Sequence, residues 1–206
     1  MYLNQLFIMN IIKGSDSVKL VVGLGNPGKD YMHTRHNIGF DFIDNYLKEK
    51  NIIANWSNRF NGLCFQTEIN NNKVIFLKPM TFMNLSGESV YKAMNYYHID
   101  VTDLLVICDD MDLNIGNFKL KISGSSGGHN GLKNISELIH TNDFKRMKIG
   151  ISRSKSKDSK DYVLGRFSKE ERDIIESLFL ELNNVLDDYF YLSFNDLMSK
   201  YNRKNR

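Results

Sequence analysis

Two rhythms of apolar residues alternate along this chain. The β-branched run Val18-Lys19-Leu20-Val21-Val22 predicts a strand. Behind it Ile38, Phe42, Tyr46 and Leu47, with Phe40 and Ile43 beside them, recur at helical spacing as far as about Lys50. Strands are predicted around 62–69 and 73–77, joined by Asn70-Asn71-Asn72 as a hairpin turn. Ser86 stands where it can cap a helix over 87–98. Residues 103–108 read as a buried strand ending in Asp109-Asp110, and Phe118, Leu120 and Ile122 alternate with Lys119 and Lys121 as a half-exposed one. A glycine-rich stretch, 124–131, leads into a helix through Ile139, and 146–152 is a further strand. Residues 154–161 read as a charged, serine-rich loop. The chain then turns helical over 170–191, and a short helix from Phe194 precedes a basic tail. No internal repeat is present. This alternation predicts an α/β fold in a single domain: a mixed, mostly parallel twisted sheet flanked by helices, with a cleft at the carboxyl ends of the strands.

The 206 residues suit one full core. The domain is expected to span 18–206, with 1–17 as a flexible extension. That segment carries the apolar patch Leu6-Phe7-Ile8-Met9, interrupted by polar neighbours. It lacks a basic leading region and a clear small-residue cleavage site, so a signal peptide is not expected. Whether Met1 or Met9 is the start stays open. No run reaches transmembrane length, and a cytoplasmic protein is expected. Cys64 and Cys108 both sit in apolar strand-like runs without metal-ligand spacing, which suits buried free thiols in a reducing compartment.

The net charge of +3 is unevenly spread. Residues 117–160 hold ten basic side chains, among them Lys119, Lys121, Arg146 and Lys148, against three acidic ones; the segment is +7 and the remainder −4. Such asymmetry suits either a phosphate footprint or a solvated basic face.

Gly23-Leu24-Gly25-Asn26-Pro27-Gly28 matches the glycine spacing of a dinucleotide-binding turn. The required strand precedes it. The required helix does not follow, because residues 29–36 are polar and lack an apolar period. The acidic candidates Asp41 and Asp44 fall inside a helical pattern rather than at the end of a second strand. Two of three contextual tests thus argue against a dinucleotide.

Polar clusters follow directly on the apolar strands: Asn26 and His36 after the first, Thr81 to Asn84 after the 73–77 strand, Asp109 after the 103–108 strand. Gly127-Gly128-His129-Asn130 precedes a helix. Each alone has a structural explanation as a cap or turn residue. Together they would meet at the rim where α/β sheets bind ligands. No serine stands in a nucleophile-elbow context and no His/Cys/Asp set has metal spacing. What remains is imidazole, carboxylate and several amides. A neutral imidazole oriented by a carboxylate can take a proton from water, and amides can hold a carbonyl and its oxyanion. That equipment suits cleavage of an activated acyl bond such as an ester.

Six segments together resemble the bacterial-type peptidyl-tRNA hydrolase family, in family order over about residues 18–206. They are Gly23-Leu24-Gly25-Asn26-Pro27-Gly28 with Tyr31; Thr34-Arg35-His36-Asn37-Ile38-Gly39; Lys78-Pro79-Met80-Thr81-Phe82-Met83-Asn84-Leu85-Ser86-Gly87; Asp109-Asp110-Met111-Asp112-Leu113; Gly127-Gly128-His129-Asn130-Gly131-Leu132; and Asp161-Tyr162-Val163-Leu164-Gly165-Arg166-Phe167. The resemblance implies hydrolysis of the ester joining a peptide to tRNA, which recycles tRNA in translation and ribosome rescue, by a monomer that needs no metal or cofactor. It implies that His36 is the base for water, that Asp109 orients it, and that Asn84 positions the water or carbonyl and stabilises the oxyanion. Asn26 and Asn130 would bind the peptide backbone, with Tyr31 and Met83 lining the cleft. His129 would either bind the acceptor end or fix its loop. Lys121 and Lys148, with Lys119 nearby, would hold tRNA phosphate. The family often has arginine at Lys148, and lysine lacks the bidentate fork. Other departures, Asn114-Ile115, Ser152 and Ser154, bear on loop stiffness. A non-catalytic RNA-binding relative is the alternative within the same resemblance, and the intact His36, Asp109 and Asn84 speak against it.

Overall fold

The computed structural model describes residues 18–153 and 158–202. The expected extension, 1–17, part of the serine-rich segment, 154–157, and the end of the basic tail, 203–206, lie outside the described residues. Seven strands form one sheet: β1 (Lys19–Gly23), β2 (Ser57–Arg59), β3 (Gly62–Ile69), β4 (Asn72–Pro79), β5 (Leu104–Asp110), β6 (Phe118–Lys121) and β7 (Lys145–Gly150). Their spatial order is β2-β3-β4-β1-β5-β7-β6. The inner four, β4, β1, β5 and β7, run parallel, and antiparallel pairs close both sides. The expected mixed, mostly parallel sheet is present.

Side chains of alternate residues point to opposite faces of a strand, and β1 shows what this does here. Val21 packs with α1 (Ile38–Glu49), while Leu20 and Val22 pack against the opposite layer. That opposite layer is α2 (Ser86–Tyr97) and α3 (Asn130–Ile139). The first also holds α5 (Lys169–Tyr189) and α6 (Phe194–Tyr201). The chain leaves β1 for one face and β4 for the other, so the connections diverge and open a crevice beyond the carboxyl ends of β1, β4 and β5.

Several local expectations change. The β3–β4 hairpin turns on two residues, since Ile69 pairs with Asn72 and both Asn70 (φ 52°) and Asn71 (φ 60°) are left-handed. That is the turn whose twist matches a hairpin, and asparagine tolerates it. Ser86 does not cap α2: Leu85 holds the cap position, and the Ser86 hydroxyl donates to the Met83 carbonyl at 2.9 Å. The short edge strand β2 is fully exposed and has no alternation to reveal it. Residues 159–161 are not loop: Asp158 caps a five-residue helix, α4 (Ser159–Val163). The outer edge of β6 is covered by Asn202, whose amide both accepts from Leu120 N and donates to Leu120 O at 2.9 Å. A side chain thus replaces a further strand there.

Candidate active site

The glycine turn after β1 exists for close packing. A Cβ on Gly23 would lie 2.4 Å from the Gly39 carbonyl, and one on Gly39 would lie 2.5 Å from both the Leu24 amide nitrogen and the Ile107 carbonyl. Strand and helix therefore touch backbone to backbone. No helix opens inside the motif. Short 3-10 turns at Lys29–Tyr31 and Arg35–Asn37 follow, and α1 begins only at Ile38, so the dinucleotide reading fails on structure too. Asn37 ties the turn shut: its side-chain oxygen accepts from Asn26 N at 2.8 Å and its amide donates to Asn26 O at 2.9 Å. Asn26 then uses its own Oδ1 to accept from Met83 N at 2.8 Å. The β1 and β4 exits are thereby fastened together by the Asn26 side-chain oxygen, and its side-chain NH₂ is the group not used in this bond.

These exits surround a cleft of about 650 Å³ lined by Asn26, Tyr31, His36, Met83, Asn84, Asp109, His129, Asn130 and Lys148. The four clusters expected at one rim do meet there. Asn84 and Asn130 are exposed in it. At its floor, buried His36 places Nδ1 2.7 Å from Asp109 Oδ1. The carboxylate can only accept, so the proton sits on Nδ1 and Nε2 keeps the lone pair. Burial lowers the pKa of His36, but the charge and hydrogen bond of Asp109 outweigh it and leave the imidazole above its ordinary value. Asp109 is buried, which alone would raise it; His36 and His129 instead hold its carboxyl well below the usual range.

His129 serves as the N-cap of α3. Its Nδ1 lies 3.1 Å from Gly131 N and 3.3 Å from Leu132 N, and its Nε2 lies 3.1 Å from the same Asp109 oxygen. Backbone amides need an acceptor, so we assign the proton to Nε2. Of the two roles left open for His129, the loop-fixing hydrogen bond is present. The two rings stand 4.9 Å apart around Asp109, and the three residues could bring ligand atoms within 4.8 Å of one another. A cation would need the Nε2 lone pair of His129, which would turn an Nδ1 proton against two amide protons. In this structure the three residues are joined to one another and to the α3 amides by hydrogen bonds.

The basic side chains divide. Lys119 and Lys121 are exposed on one face of β6, opposite Lys148 and Arg146 in register. Lys148 is largely covered and pairs with Asp110 at 2.6 Å. Arg146 is fully buried, donating to the carbonyls of Ser125 at 2.7 Å and Asn142 at 3.1 Å. It brackets α3 and is no part of an exposed phosphate footprint, a distinction that a count of charges does not make. Residues of the cleft wall that the sequence reading gave no role include Phe82, whose ring meets Tyr31 edge-on at 6.3 Å, and Lys160, Val163 and Leu164 of α4 and its end. Phe82, Val163 and Leu164 lie within the family-like segments and Lys160 directly beside one, which is the signal the sequence offers for them. Cys64 and Cys108 are buried and unbridged, as expected. Among the described residues no helix is long and apolar enough to cross a membrane.

Comparison with known proteins identifies the family and the fold. The family description "Peptidyl-tRNA hydrolase" matches residues 20–206. A peptidyl-tRNA hydrolase of Clostridium botulinum is 44% identical over 183 residues, 89% of this chain and 95% of that protein. One from Bacillus cytotoxicus is 44% identical over 186 residues, 90% of this chain and 100% of that protein. The crystal structure of peptidyl-tRNA hydrolase from Acinetobacter baumannii superposes with a TM-score of 0.84 at 33% identity, covering 91% of this chain and 95% of that one.

Proposed function

The chain belongs to the peptidyl-tRNA hydrolase family, and we propose that it hydrolyses the ester between peptide and tRNA in peptidyl-tRNA through a water activated by His36. The observation that carries the mechanism is the 2.7 Å contact of His36 with Asp109 at the floor of the cleft. Nδ1–H donates a hydrogen bond to Asp109, which leaves Nε2 to take a proton from water as its oxygen attacks the ester carbonyl. The resulting oxyanion is met by the exposed Asn84 amide. Its collapse breaks the bond to the ribose oxygen, which leaves with the proton now on His36. A positioned base of this kind typically contributes about 10²–10⁴-fold in rate.

Asn26 has its oxygen engaged by Met83, so its NH₂ is the group able to donate to a substrate carbonyl. Asn130 offers an exposed amide across the cleft. Recognition through peptide backbone suits a substrate of varied sequence, with Tyr31 and Met83 along the wall. Lys121 and Lys119, and Lys148 if phosphate displaces Asp110, face the tRNA stem. His129 acts through Asp109 and through the loop it caps. The reading requires no metal or cofactor. It takes 18–206 as a monomeric, cytoplasmic catalytic unit with 1–17 as an extension.

The test is release of tRNA from peptidyl-tRNA by the purified full chain, in chelator and without added metal. His36→Ala should abolish turnover and keep tRNA binding. Undiminished activity in that variant would overturn the assignment of the base, and no hydrolysis by the unaltered chain would overturn the function. Substrate with a free α-amino group should be cleaved only weakly.

A further inference from the structure

We infer that Arg35 is a positioning residue: its guanidinium holds the α4 wall of the cleft against the turn that presents His36. The inference rests on the proposed reaction for its kinetic consequence and on geometry for its cause.

Arg35 directly precedes His36, yet its side chain points away from the cleft chemistry and is only 8% exposed with its residue. Its guanidinium lies between two aromatic rings, 4.4 Å from the centre of Tyr162 and 5.0 Å from that of Phe167. Nη1 donates to the Arg166 carbonyl at 2.5 Å, and Nη2 to Glu171 Oε2 at 2.6 Å. The Arg35 amide donates to the Gly165 carbonyl at 2.9 Å, and Thr34 forms an isolated antiparallel bridge with Arg166. One residue thus clamps α4, the segment after it and the first turn of α5. A Cβ at Gly165 would lie 3.3 Å from Nη1 and 3.2 Å from the Tyr162 carbonyl, so the clamp closes over a position where only glycine fits without displacement.

The clamped elements are part of the cleft. Ser159, Lys160, Val163 and Leu164 line it, and the hydroxyl of Tyr162 donates to the Ile151 carbonyl at 2.7 Å, beyond the end of β7. Guanidinium suits the place, because a planar, permanently charged group can stack on both rings while its edge reaches a carbonyl and a carboxylate. Lysine keeps the charge and loses the plane and the fork. The segment at 161–167, which the proposed chemistry leaves without a task, gains one: it sets the width of the cleft relative to His36.

The experiment compares the full chain with Arg35→Lys, Tyr162→Leu and the double variant, using hydrolysis kinetics and amide hydrogen exchange. Arg35→Lys should raise KM about tenfold with kcat held within about threefold, because substrate meets a displaced wall while His36 and Asp109 remain paired. Exchange at the amides of Tyr162, Leu164 and Gly165 should quicken while β1 and β5 stay protected. The double variant should be little worse than Arg35→Lys, since both break one clamp. A residue that only stabilises the fold would lower the active fraction with KM unchanged, and that result overturns the proposal, as do fully multiplying effects. If the unaltered chain hydrolyses nothing, the proposed function fails, and exchange alone still decides the clamp: unchanged protection at 162–165 refutes it. Should Arg35→Lys not fold, Glu171→Gln removes the charge of the partner more gently and must shift exchange and KM in the same directions.

Discussion

One carboxylate oxygen of Asp109 faces two imidazoles, those of His36 and His129. Its effect on His36 can be measured. A base works when neutral, so kcat/KM should rise with pH through the pKa of His36 in the free enzyme. That midpoint should lie above the ordinary imidazole value of about 6.5, since Asp109 more than offsets burial. Asp109→Asn removes the charge and leaves at most a weaker, neutral acceptor for Nδ1–H, against burial, which lowers. Its residual activity should therefore show an acid limb moved to lower pH, together with a large fall in kcat; an unmoved limb would separate Asp109 from the titrating group. At this scale the sequence singled out His36, Asp109 and the asparagines as candidates, and the structure gathers them in one cleft. The sequence left His129 with two roles. The structure shows the loop-fixing contact, from its ring nitrogen to the amides of the α3 first turn, which depends on how the helix starts.

Among the elements, α1 shows how much of the site is a packing problem. Its apolar stripe is legible in the chain, and the structure buries Ile38, Phe42, Ile43, Tyr46 and Leu47. What spacing could not show is that Gly39 must be glycine because two backbones cross there. Gly39→Ala should cost about 1–3 kcal/mol, read as a lowered denaturation midpoint, since backbone atoms cannot yield as a flexible side chain can. It should also lower kcat, because the shift falls three residues from His36. Retained stability with full activity would mean that the β1–α1 contact relaxes freely. The elements missed from sequence, β2 and α4, have three and five residues. Neither has the length to display a period, and both take their conformation from what they pack or pair against.

For the whole molecule the relevant property is the arrangement of charge. A protein that binds tRNA phosphate releases counterions, so affinity falls as salt rises. Lys121→Ala should weaken tRNA binding for any tRNA sequence and reduce the slope of log affinity against log salt by about 0.9, if the contact is to a duplex stem. Arg146→Ala should leave that slope in place and lower thermal stability, because this arginine is buried on backbone carbonyls. A slope that changed with Arg146 and not with Lys121 would reverse the assignment. The sequence counted both residues alike. By itself it determined the α/β alternation, the single domain and the candidate chemistry-bearing groups, because periodicity, strand-end placement and motif order are local and linear. Only the tertiary structure decided which glycines mark crossing backbones, which cation is buried, how Arg35 reaches Glu171 across the fold, and that Asn26, Asn84, His36 and Asp109 share one cleft. Those facts depend on distances between residues far apart in the chain, and such distances are set when the two helical layers pack on opposite faces of the sheet.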